Sequence, residues 1–513
     1  MEGISATQIK DECRRCERRG RQVRALIARN RALVRALQKT QALLARAEDR
    51  IRALEQIRRP TASNSSIAPS SNPIGAKPPV VKKPTGRKPG GQIGHAGKSR
   101  VLLPVEKMDQ VIHHRPQICE HCQKPLEAGC VEQLVGRHQV AELPIQAVTL
   151  TEHQSYACRC GNCGKLTREL IPADIAVSAT GPRLTAAIGL LGAWVKGSRR
   201  AVAEVVGQTL GCPIALGSII AREAELTDAL AQPYQALVSQ LSTAPVKYVD
   251  ETGWKLHGAS RTLFVAAAEH EALFKVEATR TRPALMRLLD EQSIGVICTD
   301  RCGIYDAWPL DKRQLCWAHL KRDFVAAIER GGAGEKPAQQ ALEITGEMFK
   351  LYRDFKNQRL TRMELIERIE PLKKQMHEAM QIGAACGQKK TAGLFGNLLK
   401  REAALWRFAD TPGVDPTNNL AERMLRPAVI WRKKSFGCHS RRGCQYVERM
   451  LSVIQTLRLR NADVLGYLAT AVQAHRQGVD PPNLPPPQPT PIDPANPKKQ
   501  PLEQLPCAYL KVA

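Results

Sequence analysis

No stretch of this 513-residue sequence approaches the roughly 20 consecutive apolar residues that a membrane-crossing helix requires, which argues against an integral helical membrane protein. It does not open on a secretory pattern either. The start, MEGISATQIKDECRRC, is polar throughout, so the expected location is the cytoplasm. Acid is the scarcer charge, with 49 Asp and Glu against 76 Lys and Arg, and the formal net charge of +27 favours a polyanionic partner, nucleic acid first. Acid is missing altogether from residues 61–100, where seven Lys or Arg stand among Pro, Ser and Gly. Such a segment cannot pack a core. The basic flexible linker is therefore expected over 61–104. Its GRKPGGQ stretch places Arg87 and Lys88 as an arm suited to a DNA minor groove, and a plain linker reads equally well.

The 16 cysteines are spread too widely through a long basic chain to suggest a disulfide framework. Cys119-x-x-Cys122 and Cys160-x-x-Cys163 are instead spaced as metal-binding knuckles, and the alternating stretch between them can form a β-ribbon. A structural Zn²⁺ held by Cys119, Cys122, Cys160 and Cys163 is the expectation over 105–175, with Cys158 able to replace Cys160. Cys13-x-x-Cys16 has no partner pair and is read as incidental.

Residues 1–60 carry a heptad seam. Val23, Asn30, Leu37, Leu44 and Ile51 recur every seven residues, as do Leu26, Leu33, Thr40, Ala47 and Leu54. This predicts a coiled coil and a homodimer, with Asn30 setting register, against the alternative of one long helix folded back on its own chain. Residues 176–243 read as helices interrupted at Gly211-Cys212-Pro213, a possible helix-turn-helix in which Arg199, Arg200 and Arg222 could touch phosphate. The proline-dominated stretch from 478 to 513 is expected to be disordered.

From Val246 to Phe324 the pattern changes to five strand-like segments, KYVDETGWKLHG, RTLFVAAAEH, EALFKVEAT, GVICTDRCG and KRQLCWAHL, with PALMRLLDEQ as a helix between the third and fourth. Three meandering strands, a crossover helix and a fourth strand describe a ribonuclease-H-like sheet. Its first and fourth strands are neighbours. Asp250 and Asp300 each end an apolar run on those two strands and would therefore converge. A mostly helical insertion over 325–412 leads to a third acid, Glu422, in the first turns of a helix opening near 416–418. Three carboxylates make a hard oxygen cage suited to Mg²⁺ and to phosphodiester chemistry. Arg423, Arg426, Arg432, Lys433 and Lys434 follow closely enough to flank a phosphate, while Trp254 could stack on a base or serve the core. Asn418 and Asn419 are candidate caps, and Cys316-x-x-His319 is read as a brace for the site.

DETGW, CTDR with the following RQLCWAHLKRDF, and PTNNLAERMLRPAVIWRKKSFG resemble, in order, the three catalytic blocks of the insertion sequence sixty-six family of bacterial transposases. The resemblance extends upstream through the cysteine pairs, the basic linker and the heptads. It implies a DDE transposase with Asp250, Asp300 and Glu422 as catalytic acids, two Mg²⁺ or Mn²⁺ ions, DNA ends and target as partners, and a place on the bacterial nucleoid. Accessory transposition proteins are a further implied partner. The implied fold is multidomain α+β, with the ribonuclease-H-like core in two parts, 244–324 and 413–477, beside the coiled coil and the zinc-ribbon-like domain. Two other readings are a ribonuclease-H-fold nuclease without strand transfer and a zinc-containing DNA-binding regulator.

Overall fold

The computed structural model describes residues 6–57 and 102–489, apart from 120, 127–133, 136, 141–147, 161, 164 and 291–292. Arg87, Lys88, Cys130 and the chain beyond 489 lie outside the described residues. The heptads fall within α1, one helix over Ala6–Ile57, along which Val23, Leu26, Leu33, Leu37 and Leu44 are exposed. Strands β1 (Ala157–Arg159) and β2 (Leu166–Arg168) form a short antiparallel hairpin around the second cysteine pair. The longer ribbon expected between the two pairs does not form among the described residues, which contribute only an isolated bridge from Ile118 to Pro125. Each short turn closes on its own backbone, Cys119 with Lys124 and Cys160 with Lys165.

After a single turn at α2 (Ala173–Ala176) come α3 (Pro182–Ala193), α4 (Arg199–Leu210), α5 (Leu216–Ala229) and α6 (Ala231–Thr243). Ser198 caps α4 by accepting the Ala201 N–H at 3.2 Å, and Gly211, at φ +63°, ends it. The predicted break lies there. Ile188, Val202, Val206 and Ile219 from α3, α4 and α5 bury one another in a small core.

The sheet follows as β3 (Val246–Leu256), β4 (Ala259–Ala267), β5 (Ala272–Glu277), then α7 (Arg282–Leu289), β6 (Val296–Thr299) and β7 (Arg313–Leu315). Its order is β5-β4-β3-β6-β7, antiparallel through β3, β4 and β5 and parallel through β3, β6 and β7. The β3–β4 turn uses His257 at φ +50° and Gly258 at φ +77°, the two-residue geometry that matches strand twist. The fifth expected strand is cut to three residues, because Trp317 already opens α8 (Trp317–Glu329). The insertion is built of α9 (Glu335–Lys356), α10 (Arg362–Ala384), α11 (Lys389–Leu399) and the short α12 (Arg407–Asp410). Thr361 and Glu364 start α10 with a reciprocal capping box. The chain then returns through α13 (Asn419–Ser435), α14 (Arg441–Leu459) and α15 (Val464–Arg476).

Alternate strand residues face opposite cores, as the two-residue period of a strand requires. Tyr248, Val265, Phe274 and Cys298 join one core with α8 to α11 and α13, while Val249, Phe264, Leu273 and Ile297 join another with α5, α6, α7, α14 and α15. The outer edge of β5 is sealed by α14. Val276, Phe274 and Ala272 donate their N–H groups to Glu448 Oε1 at 2.9 Å, Ser452 Oγ at 2.9 Å and Thr456 Oγ1 at 3.0 Å. Four-residue spacing on the helix meets two-residue spacing on the strand, and an open edge is closed without a sixth strand.

The segment expected to begin a disordered tail is held in place over part of its length. Pro482 accepts from Tyr467 Oη at 2.8 Å, Pro485 from Arg460 Nη1 at 3.0 Å, and Gln488 N–H donates to Arg460 O at 2.8 Å. Prolines leave carbonyls free to accept, and Arg460 uses them.

Candidate active site

Asp250 lies within β3 and not at its tip, a correction with a simple cause: β4 carries β3 onward to Leu256 after the parallel partner β6 has stopped. The register pairs Tyr248 with Cys298, so Asp250 and Asp300 each stand two residues beyond the last paired position, on adjacent strands. Both follow residues of the core that α13 covers. Glu422 enters from the first turn of α13. That helix is fixed to the sheet at its start, because Asn418 Nδ2 donates to Val249 O at 2.7 Å and Asn418 N–H donates to Cys316 Sγ at 3.1 Å. Asn418 is thus a tether and makes no side-chain cap. Trp317 N–H meets Pro416 O at 2.9 Å, joining the starts of α8 and α13.

Asp300 and Glu422 are both near enough to act on Asp250. Burial first, then Glu251, Asp300 and Glu422, push the Asp250 carboxyl up to about 8, against the Glu251 N–H it accepts. Burial also raises Glu422, with Arg322 opposing. One Glu422 oxygen, Oε1, is buried and has no hydrogen-bond partner. His319 Nδ1 stands 3.6 Å from it, too far for a hydrogen bond, and burial and Arg322 pull His319 down to about 4, so the pair is not ionic near neutrality. Acids that repel Asp250, with a buried Glu422 oxygen unpaired among the described residues, are the donor chemistry that a hard divalent cation such as Mg²⁺ or Mn²⁺ takes.

Cys316, His319 and Glu422 bring donor atoms within 4.8 Å of one another, the only such trio among the described residues, so the oxygens of Asp250, Asp300 and Glu422 are not all gathered that closely. The mixed set would suit a softer ion, but the Cys316 thiol is buried, pushed up to about 11, and already occupied by the Asn418 N–H. It acts as the expected brace.

Several supporting groups escaped the sequence reading because their partners are remote in the chain. Arg313 is fully buried and donates to Asp306 Oδ1 at 2.7 Å, Thr299 Oγ1 at 3.2 Å and the Asp300 carbonyl at 3.2 Å, fixing the backbone that presents Asp300. Glu251 pairs with Arg280 and with the Tyr305 hydroxyl. Arg301 holds Asp323 at 2.9 Å. The only hint was the density of charge in CTDR and HLKRDF.

Of the basic candidates, Arg423, Arg426, Lys433 and Lys434 are exposed on α13, whereas Arg432 Nη1 donates to Gly253 O at 2.8 Å and serves as a tie to β3. Arg222 is spent on Glu225 at 3.1 Å, and Arg199 on Glu223 at 2.7 Å, leaving Arg200 as the exposed cation of the predicted trio without an ion pair among the described residues. Trp254 is 1% exposed and belongs to the core.

The cysteine pairs form two alike turns. Cys119 N–H donates to Lys124 O at 2.9 Å and Cys160 N–H to Lys165 O at 2.8 Å. Backbone N–H groups of Cys122 and His121 hold the Cys119 thiol below its usual range, and those of Cys163 and Asn162 do the same for Cys160. Each turn suits half of a tetrahedral thiolate site, and the structure does not gather Cys119, Cys122, Cys160 and Cys163 into one cluster.

Parts of this sequence are shared with known proteins. Two proteins of Sinorhizobium fredii (strain NBRC 101917 / NGR234) are similar to the chain: "Uncharacterized protein y4qI", 27% identical over 167 residues, covering 32% of this chain and 31% of that protein, and "Uncharacterized protein y4hP", 29% identical over 171 residues, covering 30% and 31%. The chain therefore spans about a third of the length of these relatives. The family model described as Transposase IS66 family matches residues 194–446, a segment that holds β3, β6 and α13 and all three acids. Over that segment, just under half of its length, the chain matches the IS66 transposase family, which supports a transposase.

Proposed function

We propose that this chain is a DDE transposase on a ribonuclease-H-like core, which binds the ends of an insertion sequence, hydrolyses a phosphodiester to free each 3′ end, and joins those ends to target DNA by transesterification. The observation that supports the reading is that Asp250 on β3 and Asp300 just past β6 follow the same paired register, and that Asp300 and Glu422, in the first turn of α13, are both near enough to Asp250 to raise its carboxyl. Asp250, Asp300 and Glu422 would hold two Mg²⁺ or Mn²⁺ ions, which when bound supply activation of the attacking oxygen and stabilisation of the leaving one. The chain's own part is placement. Arg313 holds the Asp300 backbone, and Asn418 and Cys316 hold the start of α13, so the backbone that carries two of the acids is fixed. Arg423 and Arg426 continue along α13 from Glu422 and would neutralise phosphates beside the reacting one. The joining step exchanges one phosphodiester for another, so it requires no external energy source.

The remaining modules fit end recognition and pairing. The exposed heptad positions of α1 support a homodimer through a coiled coil. Zn²⁺ on Cys119, Cys122, Cys160 and Cys163 would join the two turns into one structural domain. Arg87 and Lys88 would follow the DNA backbone, and accessory proteins would complete the assembly on the nucleoid.

The test uses duplexes carrying the terminal repeats of the encoding element, in Mg²⁺. Asp250→Ala should abolish both end cleavage and strand joining while leaving end binding intact. Joining by that variant would sink the assignment. Cleavage without any joining by the unaltered chain would favour a nuclease, and DNA binding with neither reaction would favour a regulator.

A further inference from the structure

Phe436 breaks two local rules together. It is 81% exposed, while every other Phe and Trp among the described residues is at least partly buried. Its φ of +57° also lies in the left-handed region that side-chain-bearing residues avoid. The position is firmly held. Gly437 follows at φ +104°, pressed so close to β3 that a Cβ there would come 2.4 Å from the Lys255 carbonyl oxygen. Cys438 N–H donates to that oxygen at 2.9 Å, and Cys438 O accepts from His257 N–H at 3.0 Å. The turn ending α13 is therefore clamped to the β3–β4 hairpin, and the ring is held outward by the clamp. Local rules broken at a rigid place point to function more than to slack.

The exposed residues of α13 that lead to the ring are mostly cations, with Ile430 among them. Arg423, Arg426 and Lys433 recur at helical spacing on the exposed side of α13, and with Lys434 they make no ion pair among the described residues. Lys196, from the loop between α3 and α4, lies near enough to Lys434 for the repulsion to add to burial in pulling Lys196 down. A basic face thus begins beside Glu422 and ends at a bare aromatic ring. At a rise of 1.5 Å per residue the two ends of α13 are roughly 20 Å apart, a span of about six nucleotides at 3.4 Å each. The other exposed large apolar residues on this side are Ile430 on α13 and Val195 beside Lys196, a small area for an apolar protein partner. A single aromatic among unpaired cations complements a polyanion that carries flat bases.

We propose that Phe436 stacks on an unpaired DNA base about six nucleotides from the scissile phosphate, holding locally opened DNA along the exposed face of α13. This positioning role rests on the DNA function proposed above. The lysines and arginines would bind any duplex through its phosphates, whereas the ring adds affinity only where a base is free to leave the stack.

The experiment compares a short blunt duplex with the same duplex carrying a few central mismatches and 2-aminopurine within them. The protein is the full chain bearing Asp300→Asn to prevent cutting. It should bind the mismatched duplex about tenfold more tightly and quench the 2-aminopurine. Phe436→Gly, which relaxes the left-handed backbone and so preserves the fold, should bind both duplexes alike at the blunt-duplex affinity. Phe436→Trp should keep the preference. Equal binding of the two duplexes without any change at Phe436, or a preference that survives Phe436→Gly, overturns the inference and leaves the transposase reading standing. Failure to bind either duplex sinks both.

Discussion

Two patches of buried carboxylate on one sheet have opposite surroundings. At the β5 edge, Glu448 is buried beside Ser452 and Thr456, and each of the three accepts a strand N–H. Burial raises the Glu448 carboxyl, with the Val276 N–H and Arg441, 3.4 Å away, pulling the other way. Around Asp250 the carboxyl accepts one N–H and feels Glu251, Asp300 and Glu422, while Glu422 Oε1 has no hydrogen-bond partner among the described residues. The carboxylate at the β5 edge is matched by donors, whereas those around Asp250 add repulsion.

Removing one charge from each patch should break the comparison most sharply. Asp300→Asn keeps an oxygen that can accept the Cys302 N–H, now at 2.8 Å, yet loses the carboxylate. Strand joining should fall by roughly a thousandfold or more, while the melting temperature holds or rises because a repulsion has gone. A gel assay of joined product beside calorimetry decides it. A variant that unfolds instead would mean that Asp300 is structural.

The pH response should separate the patches next. Asp250 is pushed from 3.8 up to about 8 in the folded chain, chiefly by burial. Between those values the folded state keeps a proton that the unfolded chain has released, so this group lowers stability as pH rises through the window. In EDTA the melting temperature should drop from pH 5 to pH 8, and Asp250→Asn should flatten that slope. Adding Mg²⁺ at pH 8 should recover the loss, since the ion would bind the folded cluster alone. A slope unchanged by Asp250→Asn would remove Asp250 as its source.

The sealed edge should respond in stability only. Glu448→Ala leaves the buried Val276 N–H unpaired and should cost about 1–3 kcal/mol in denaturant unfolding. Joining per folded molecule should be unchanged. Ser452→Ala should behave likewise with a smaller loss.

What could be read from residues alone follows the same division. The convergence of Asp250 and Asp300 was legible because apolar runs, a crossover helix and a parallel return leave few arrangements of β3 and β6. The break at Gly211 and the start of α13 were legible from local chemistry. The sealing of β5 was not, because Glu448, Ser452 and Thr456 at four-residue spacing look like the wet face of an amphipathic helix, and periodicity does not say what covers that face. Nor was the loss of Arg199 and Arg222 to Glu223 and Glu225, since a free and an ion-paired arginine have the same sequence signature. The hold on 482–488 depends on Arg460 and Tyr467 and is invisible in a proline-rich composition.

The smallest expected effect distinguishes two arginines on α13 that sequence alone treats as equals. Arg426 is exposed and has no ion pair among the described residues, whereas Arg432 donates to Gly253 O at 2.8 Å. Arg426→Ala should weaken DNA binding uniformly across sequences and reduce the slope of log K against log salt by about one, because one phosphate contact is lost. Arg432→Ala should leave that slope alone and instead cost about 1 kcal/mol of stability through the lost tie to β3. Measuring both quantities for both variants makes the outcome decisive. If Arg432→Ala lowers the salt slope as much as Arg426→Ala does, its bond to Gly253 must open when DNA binds, and α13 would then be a helix that shifts on the sheet as DNA is engaged.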